Sequence, residues 1–265
     1  MNNTARRVSL GAPSWLGTMG VLSRLAWART MSPGVIMALA AVLALPVIFA
    51  LALRSTVGDI GVEDATRFLL QRYGSLVSGF ATPIIALLLG TSAFSAESED
   101  GTLLYLVTST TPRWWIVTAR VLFASVVTAL LSSVAVLATG WIVLGAADSG
   151  GVVPAFTAAI CVGSTVYAAL FTLLALRTRR ALMVGLLYVI VWEGVLSSTF
   201  QALRYLSVRQ WIVTVAGSLT DATVAPADGG VPIGFVLPAA LTVLVATVVV
   251  GARLLDHPRL SRVGG

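Results

Sequence analysis

Eleven carboxylates, one histidine and one cysteine are what this sequence offers for acid–base, nucleophilic or metal chemistry. The densest gathering is Glu97, Glu99 and Asp100, followed by Gly101-Thr102-Leu103. Three neighbouring acids could hold a divalent cation, but no histidine, cysteine or further loop acid stands near them, which argues against a metal site. A serine hydrolase needs a base beside its nucleophile, and His257 lies beyond the last apolar run. Cys161 sits alone inside an apolar run, so neither an intrachain disulfide nor a thiolate cluster can form. A Walker A loop needs a lysine to reach the β and γ phosphates. The 17 basic residues are all arginine, so this sequence cannot supply that loop and carries no cofactor site of its own. The expectation is a chain that is not an enzyme.

The acids have a better physical role. Asp100 can cap a short helix from Gly101 to about Thr108, with Glu97 and Glu99 near its positive end. Leu103, Leu104, Leu106 and Val107 are too many apolar side chains for a loop in water, so they are expected to pack on the base of a bundle or into a partner's groove. Glu193, beside Trp192 in an apolar run, is the other candidate. An ionisable residue at membrane depth is costly and is a functional hypothesis by default. It could face a substrate path, bind a cationic ligand, pair with Arg204 or Arg209, or serve as a hydrogen-bonding partner for a neighbouring helix. Tyr167 and Tyr188 read as packing residues.

The elements that must position these residues are membrane helices. With 57% hydrophobic and 11% charged residues, the composition lies far from that of a soluble domain. The expected fold is all-α and polytopic, a single transmembrane domain over 1–265 with six spans at about 33–53, 73–94, 119–146, 154–176, 181–200 and 232–252. Residues 14–30 mix an apolar stripe with arginines and are expected to form an interfacial helix. No cleaved signal is expected, and the first span would be the targeting element. Residues 54–72 read as a polar connection. Gly74, Gly79, Gly90 and Pro83 suggest close packing and a bend in the second span. The third helix should begin near Pro112, with Thr111 at its cap and Trp114, Trp115 and Arg120 at the interface. Part of 201–231 reads as an interfacial or re-entrant helix, and 221–230 as a loop. With six spans and the termini in the cytoplasm, twelve arginines fall inside and five outside, which fixes that orientation. Their scatter at span ends excludes a nucleic-acid surface.

One segment carries a family likeness. Pro83-Ile84-Ile85-Ala86-Leu87-Leu88-Leu89-Gly90, then Phe94-Ser95-Ala96-Glu97-Ser98-Glu99-Asp100-Gly101-Thr102-Leu103, then Thr111-Pro112-Arg113-Trp114, resembles the signature of ABC-2 type ABC transporter permeases. The likeness is tight over about 82–120 and elsewhere rests on the six-span layout. Ser98 and the absence of lysine depart from many members. The resemblance implies a permease subunit of an exporter in the cell membrane, working as a homodimer or heterodimer of permease subunits with a separate ABC ATPase that binds ATP and Mg. It implies that Glu97, Glu99, Asp100, Gly101, Thr102 and Leu103 form a cytoplasmic coupling helix seated in that ATPase. Its alternative is a mechanotransmission subunit that acts on an extracytoplasmic protein without moving a solute.

Overall fold

In lipid every backbone N–H and C=O must find its partner inside the chain, which leaves apolar runs of this length little choice but helix. The computed structural model describes residues 32–57, 61–99, 112–145, 151–178, 180–199, 201–220 and 231–256. Among these the regular structure is entirely helical. Helix α1 is Pro33–Val57. Helix α2, Val62–Arg72, runs without a break into a π-helical stretch, Tyr73–Ala81, and then into α3, Thr82–Glu99. Helices α4, Arg113–Val143, and α5, Val152–Arg177, follow. Helix α6, Ala181–Leu187, passes into a second π-helical stretch, Tyr188–Leu196, and a last turn, α7, Ser197–Thr199. A 3-10 turn, Gln201–Leu206, leads to α8, Val208–Leu219, and the chain returns in α9, Ile233–Asp256.

Among the described residues five segments are long and apolar enough to cross a membrane: Pro33–Ser55, Asp64–Ser92, Arg113–Val143, Val152–Arg177 and Ile233–Leu255. This is a multi-pass membrane protein. The expected fifth span, 181–200, corresponds to the apolar segment Ala181–Leu196, which is shorter; at 1.5 Å per residue it reaches about 24 Å against a hydrocarbon layer of about 30 Å.

Three expectations need correction. Residues 54–72 are not simply a polar connection, because α2 enters the bundle as an amphipathic turn that buries Ala65 and Leu69 and continues directly into the second span. Pro112 is the cap of α4 and Arg113 its first residue, one step later than expected. Arg120 does not reach out to the interface; it is 7% exposed, drawn in where α4 meets its neighbours. The expected helix at 14–30, the loop 221–230 and His257 lie outside the described residues.

Helix α5 is the centre, packed on α3, α4, α8 and α9. Small residues make that possible. At Gly163 a side chain would collide with Ile212 Cδ1 and Cγ1 of α8, so the glycine sets how closely that short helix can dock. Phe156, Ile160, Tyr167 and Phe171 fill the core beside it. By contrast, the apolar windows of α1 and α9 are each only 17% buried, against 67% for Asp64–Ser92, which puts α1 and α9 on the lipid-facing rim.

Pro83 explains part of the first π stretch. It has no N–H for the carbonyl four residues back, and its ring crowds that carbonyl; the helix absorbs the conflict by unwinding just before it. Ser78 Oγ donates to the Tyr73 and Gly74 carbonyls, both at 2.9 Å, and steadies the widened turns.

Candidate functional site

The acidic stretch begins inside a helix. Glu97 and Glu99 occupy the C-terminal end of α3, which runs to Glu99. This places them at the negative end of the α3 dipole; the following helix beside whose positive end they were expected lies outside the described residues. Asp100, Gly101, Thr102 and Leu103, with the short helix expected from them, lie outside the described residues.

Glu193 is assembled from three elements. It sits in the second π stretch, fully buried, between α5 and the start of α8. Ser207 Oγ donates to its Oε2 at 2.5 Å, and the Val208 N–H donates to its Oε1 at 3.0 Å. The Tyr188 hydroxyl donates to the same oxygen over a longer 3.3 Å. Val208 is the first residue of α8 and Ser207 its cap, accepting the Gln210 N–H at 3.3 Å. The first N–H groups of a helix have no partner within it, and they carry the positive end of its dipole. Glu193 therefore caps α8 from another helix, through one direct bond and one relayed by Ser207. Tyr167 adds a buried hydroxyl on the α5 side, close enough to couple electrostatically with the carboxyl but without a well-formed hydrogen bond.

A second fastener lies one residue further on. Arg209 Nε donates to the Gly74 carbonyl of the first π stretch at 2.6 Å. Gly79 makes room, since a Cβ there would stand 3.0 Å from Arg209 Cδ and 3.2 Å from Nε. Indole groups complete the seat: Trp211 Nε1 donates to the Tyr205 carbonyl at 2.9 Å and Trp192 Nε1 to that of Leu206 at 3.4 Å. Helix α8 buries Val208, Trp211, Ile212, Val215 and Ala216, so it is folded into the bundle instead of lying on its surface.

Every hydrogen bond recorded to the Glu193 carboxyl comes from a donor, an arrangement that positions a helix. Among the described residues no group of three His, Cys, Asp or Glu gathers for a metal ion. Sequence reasoning singled out Glu193 but missed Ser207, Val208, Tyr167 and Tyr188 as its surroundings. One signal was readable: Ser207 directly before an amphipathic run is an N-cap pattern. The carboxyl that answers it lies in a different segment, and no local pattern could reveal that. Comparison of the chain with protein-family models finds no match, and comparison with curated proteins finds none either.

Proposed function

We propose that this chain is the membrane subunit of an ATP-driven exporter of ABC-2 type, coupled through the connection between its second and third spans to a separate ATPase chain. The observation that carries the reading is the acidic run continuing to Asp100-Gly101-Thr102-Leu103. Glu97 and Glu99 at the end of α3 support it. Acids at the negative end of a helix dipole are locally disfavoured, so a cationic surface on a partner is a reason to keep them. The missing lysine supports it too, because nucleotide must then be handled elsewhere.

In this reading Ala181–Leu196 and the turn after it cross the membrane as a sixth, short span, with α8 as a re-entrant helix before the last one. Both termini then face the cytoplasm, and so does the connection after Glu99. Residues 14–30 lie along the inner interface. Two such subunits, alike or different, enclose the path, and ATP-driven closure of the partner pulls on the second and third spans.

The test is reconstitution of the full chain with candidate ABC ATPases of the same source. The complex is expected to co-purify and to hydrolyse ATP. Glu97→Arg, Glu99→Arg and Gly101→Val are each expected to lower coupled activity several-fold while the membrane chain elutes as wild type does. Co-purification and activity that survive all three changes would overturn this interface. ATPase stimulation by an extracytoplasmic protein, and by no solute, would replace export with mechanotransmission.

A further inference from the structure

Arg72 ends α2, where the second apolar segment enters its π-helical stretch. That segment ends at Ser92, and about 20 residues counted back from there use up the roughly 30 Å hydrocarbon layer. Arg72 therefore stands at headgroup depth. Its guanidinium carbon lies 5.7 Å from the centroid of the Phe49 ring and 5.3 Å from that of Phe68. Its Nε is buried without a hydrogen-bond partner. Around it is a shallow groove between α1 and the first π stretch, lined by Pro46, Phe49, Phe68, Leu69, Leu76 and Thr139.

The rings attract the cation but do not answer its donors. An aromatic face engages a guanidinium through its charge, whereas the five N–H groups radiate in the guanidinium plane and need acceptors there. Besides Arg72, the polar side chains of the groove are Tyr73 and Thr139; both turn their hydroxyls to helix carbonyls, Tyr73 to Val136 at 2.8 Å and Thr139 to Ala135 and Val136 at 2.7 and 3.0 Å, and neither is bonded to Arg72 Nε. A cation with free in-plane donors, at headgroup depth, beside an apolar cleft open to lipid, matches one kind of molecule at both ends.

We infer that this groove binds an anionic glycerophospholipid, its phosphate in the plane of the Arg72 guanidinium and an acyl chain along Pro46, Phe49 and Phe68. Arginine suits a phosphate because its planar fork makes two parallel bonds where lysine offers a point charge. The apolar wall selects a lipid over free phosphate, and the single unneutralised cation selects an anionic headgroup over one that carries its own ammonium. The site stands on residues 46–76 and Thr139, apart from the proposed coupling segment, and does not depend on it.

The experiment is native mass spectrometry of the full chain in mild detergent, titrated with phosphatidylglycerol and, separately, phosphatidylcholine of the same chain length. Wild type is expected to retain phosphatidylglycerol preferentially. Arg72→Gln should weaken that retention by at least about tenfold, as expected for removal of one member of a largely desolvated charge pair, while Arg72→Lys falls between. Arg253→Gln, the same charge change on α9, should leave it unaltered. Equal loss in Arg72→Gln and Arg253→Gln, equal retention of both lipids, or displacement by inorganic phosphate alone would each overturn the site. Should Arg72→Gln fail to elute as a monodisperse species, a photoactivatable phosphatidylglycerol on the wild-type chain decides: label concentrated at residues 46–50 and 68–76 supports the groove, and label spread over the lipid-facing rim refutes it.

Discussion

Replacing Glu193 tests whether α8 is held by a carboxyl from another helix. In Glu193→Ala the Val208 N–H, the Ser207 hydroxyl and the Tyr188 hydroxyl lose their acceptor together. The two hydroxyls can rotate toward other partners, but the amide cannot. A hydrogen bond to a charged group contributes about 1.5–3 kcal/mol, and the Tyr188 bond is long, so two strong bonds give a loss of about 3–6 kcal/mol. Glu193→Gln should cost less. Its amide oxygen can replace Oε1 and keep Val208 and Tyr188, while its NH2 faces Ser207 Oγ, which already accepts from Gln210. One charge-assisted bond is then lost, about 1.5–3 kcal/mol. At about 1.4 kcal/mol per factor of ten, opening of α8 should become more frequent by about 10- to 100-fold in Glu193→Gln and by more than about 100-fold in Glu193→Ala. Amide hydrogen exchange in nanodiscs, read on peptides covering residues 207–220, measures this directly. Exchange in Glu193→Ala within twofold of wild type would refute the capping argument, and so would an equal effect of the two substitutions spread over α4 and α5.

Two further changes address how α8 is seated. Arg209→Met removes the donor to the Gly74 carbonyl and is expected to cost about 1.5–3 kcal/mol, with faster exchange over residues 73–81 and partial recovery in Arg209→Lys; unchanged exchange there would mean that the bond does not hold the π stretch. Gly163→Ala places a methyl group against Ile212 and should cost about 1–3 kcal/mol by overpacking. Ile212→Val in the same chain should recover part of that loss, and strict additivity of the two changes in thermal melting would show that the residues do not touch.

How much of this was legible in the sequence depended on range. Four spans showed themselves as uninterrupted apolar runs, and the described helices α1, α4, α5 and α9 agree with them to within several residues. The second span extended further than its apolarity suggested, because α2 carries Glu63, Asp64, Arg67 and Arg72 on a helix that still buries Ala65 and Leu69; composition sees the charges, while burial depends on which face they share. The fifth segment read as a full span, yet its helix is short and changes winding at Tyr188. Neither π stretch was foreseen. Pro83 marked the first only as a bend, and nothing local marks the second, whose reason is the contact between Glu193 and α8. Gly79 was recognised as a close-approach residue, though what approaches is an arginine side chain and not a helix backbone.

The two π stretches meet each other, and α8 is tied to both. Such winding is rare, and it persists where side chains compensate for it, often at functional sites. Here the compensation is visible: Ser78 on the Tyr73 and Gly74 carbonyls, Arg209 on Gly74, Ser197 on the Glu193 carbonyl at 2.9 Å, and the Tyr73 hydroxyl on the Val136 carbonyl at 2.8 Å. Three of these bonds fall on the same two carbonyls, Tyr73 and Gly74, at the start of the stretch that leads into α3. If that stretch were to relax to α-helical winding, each of its turns would hold fewer residues and everything beyond it would rotate, by about 100° for each residue of register. The end of α3, with Glu97 and Glu99, would turn with it. Arg209 on α8 resists that relaxation and Glu193 anchors α8, so a pull at the acidic end of α3 would be opposed by the fasteners of the short helix. The two candidate sites, far apart in sequence, are joined through one run of continuous helix.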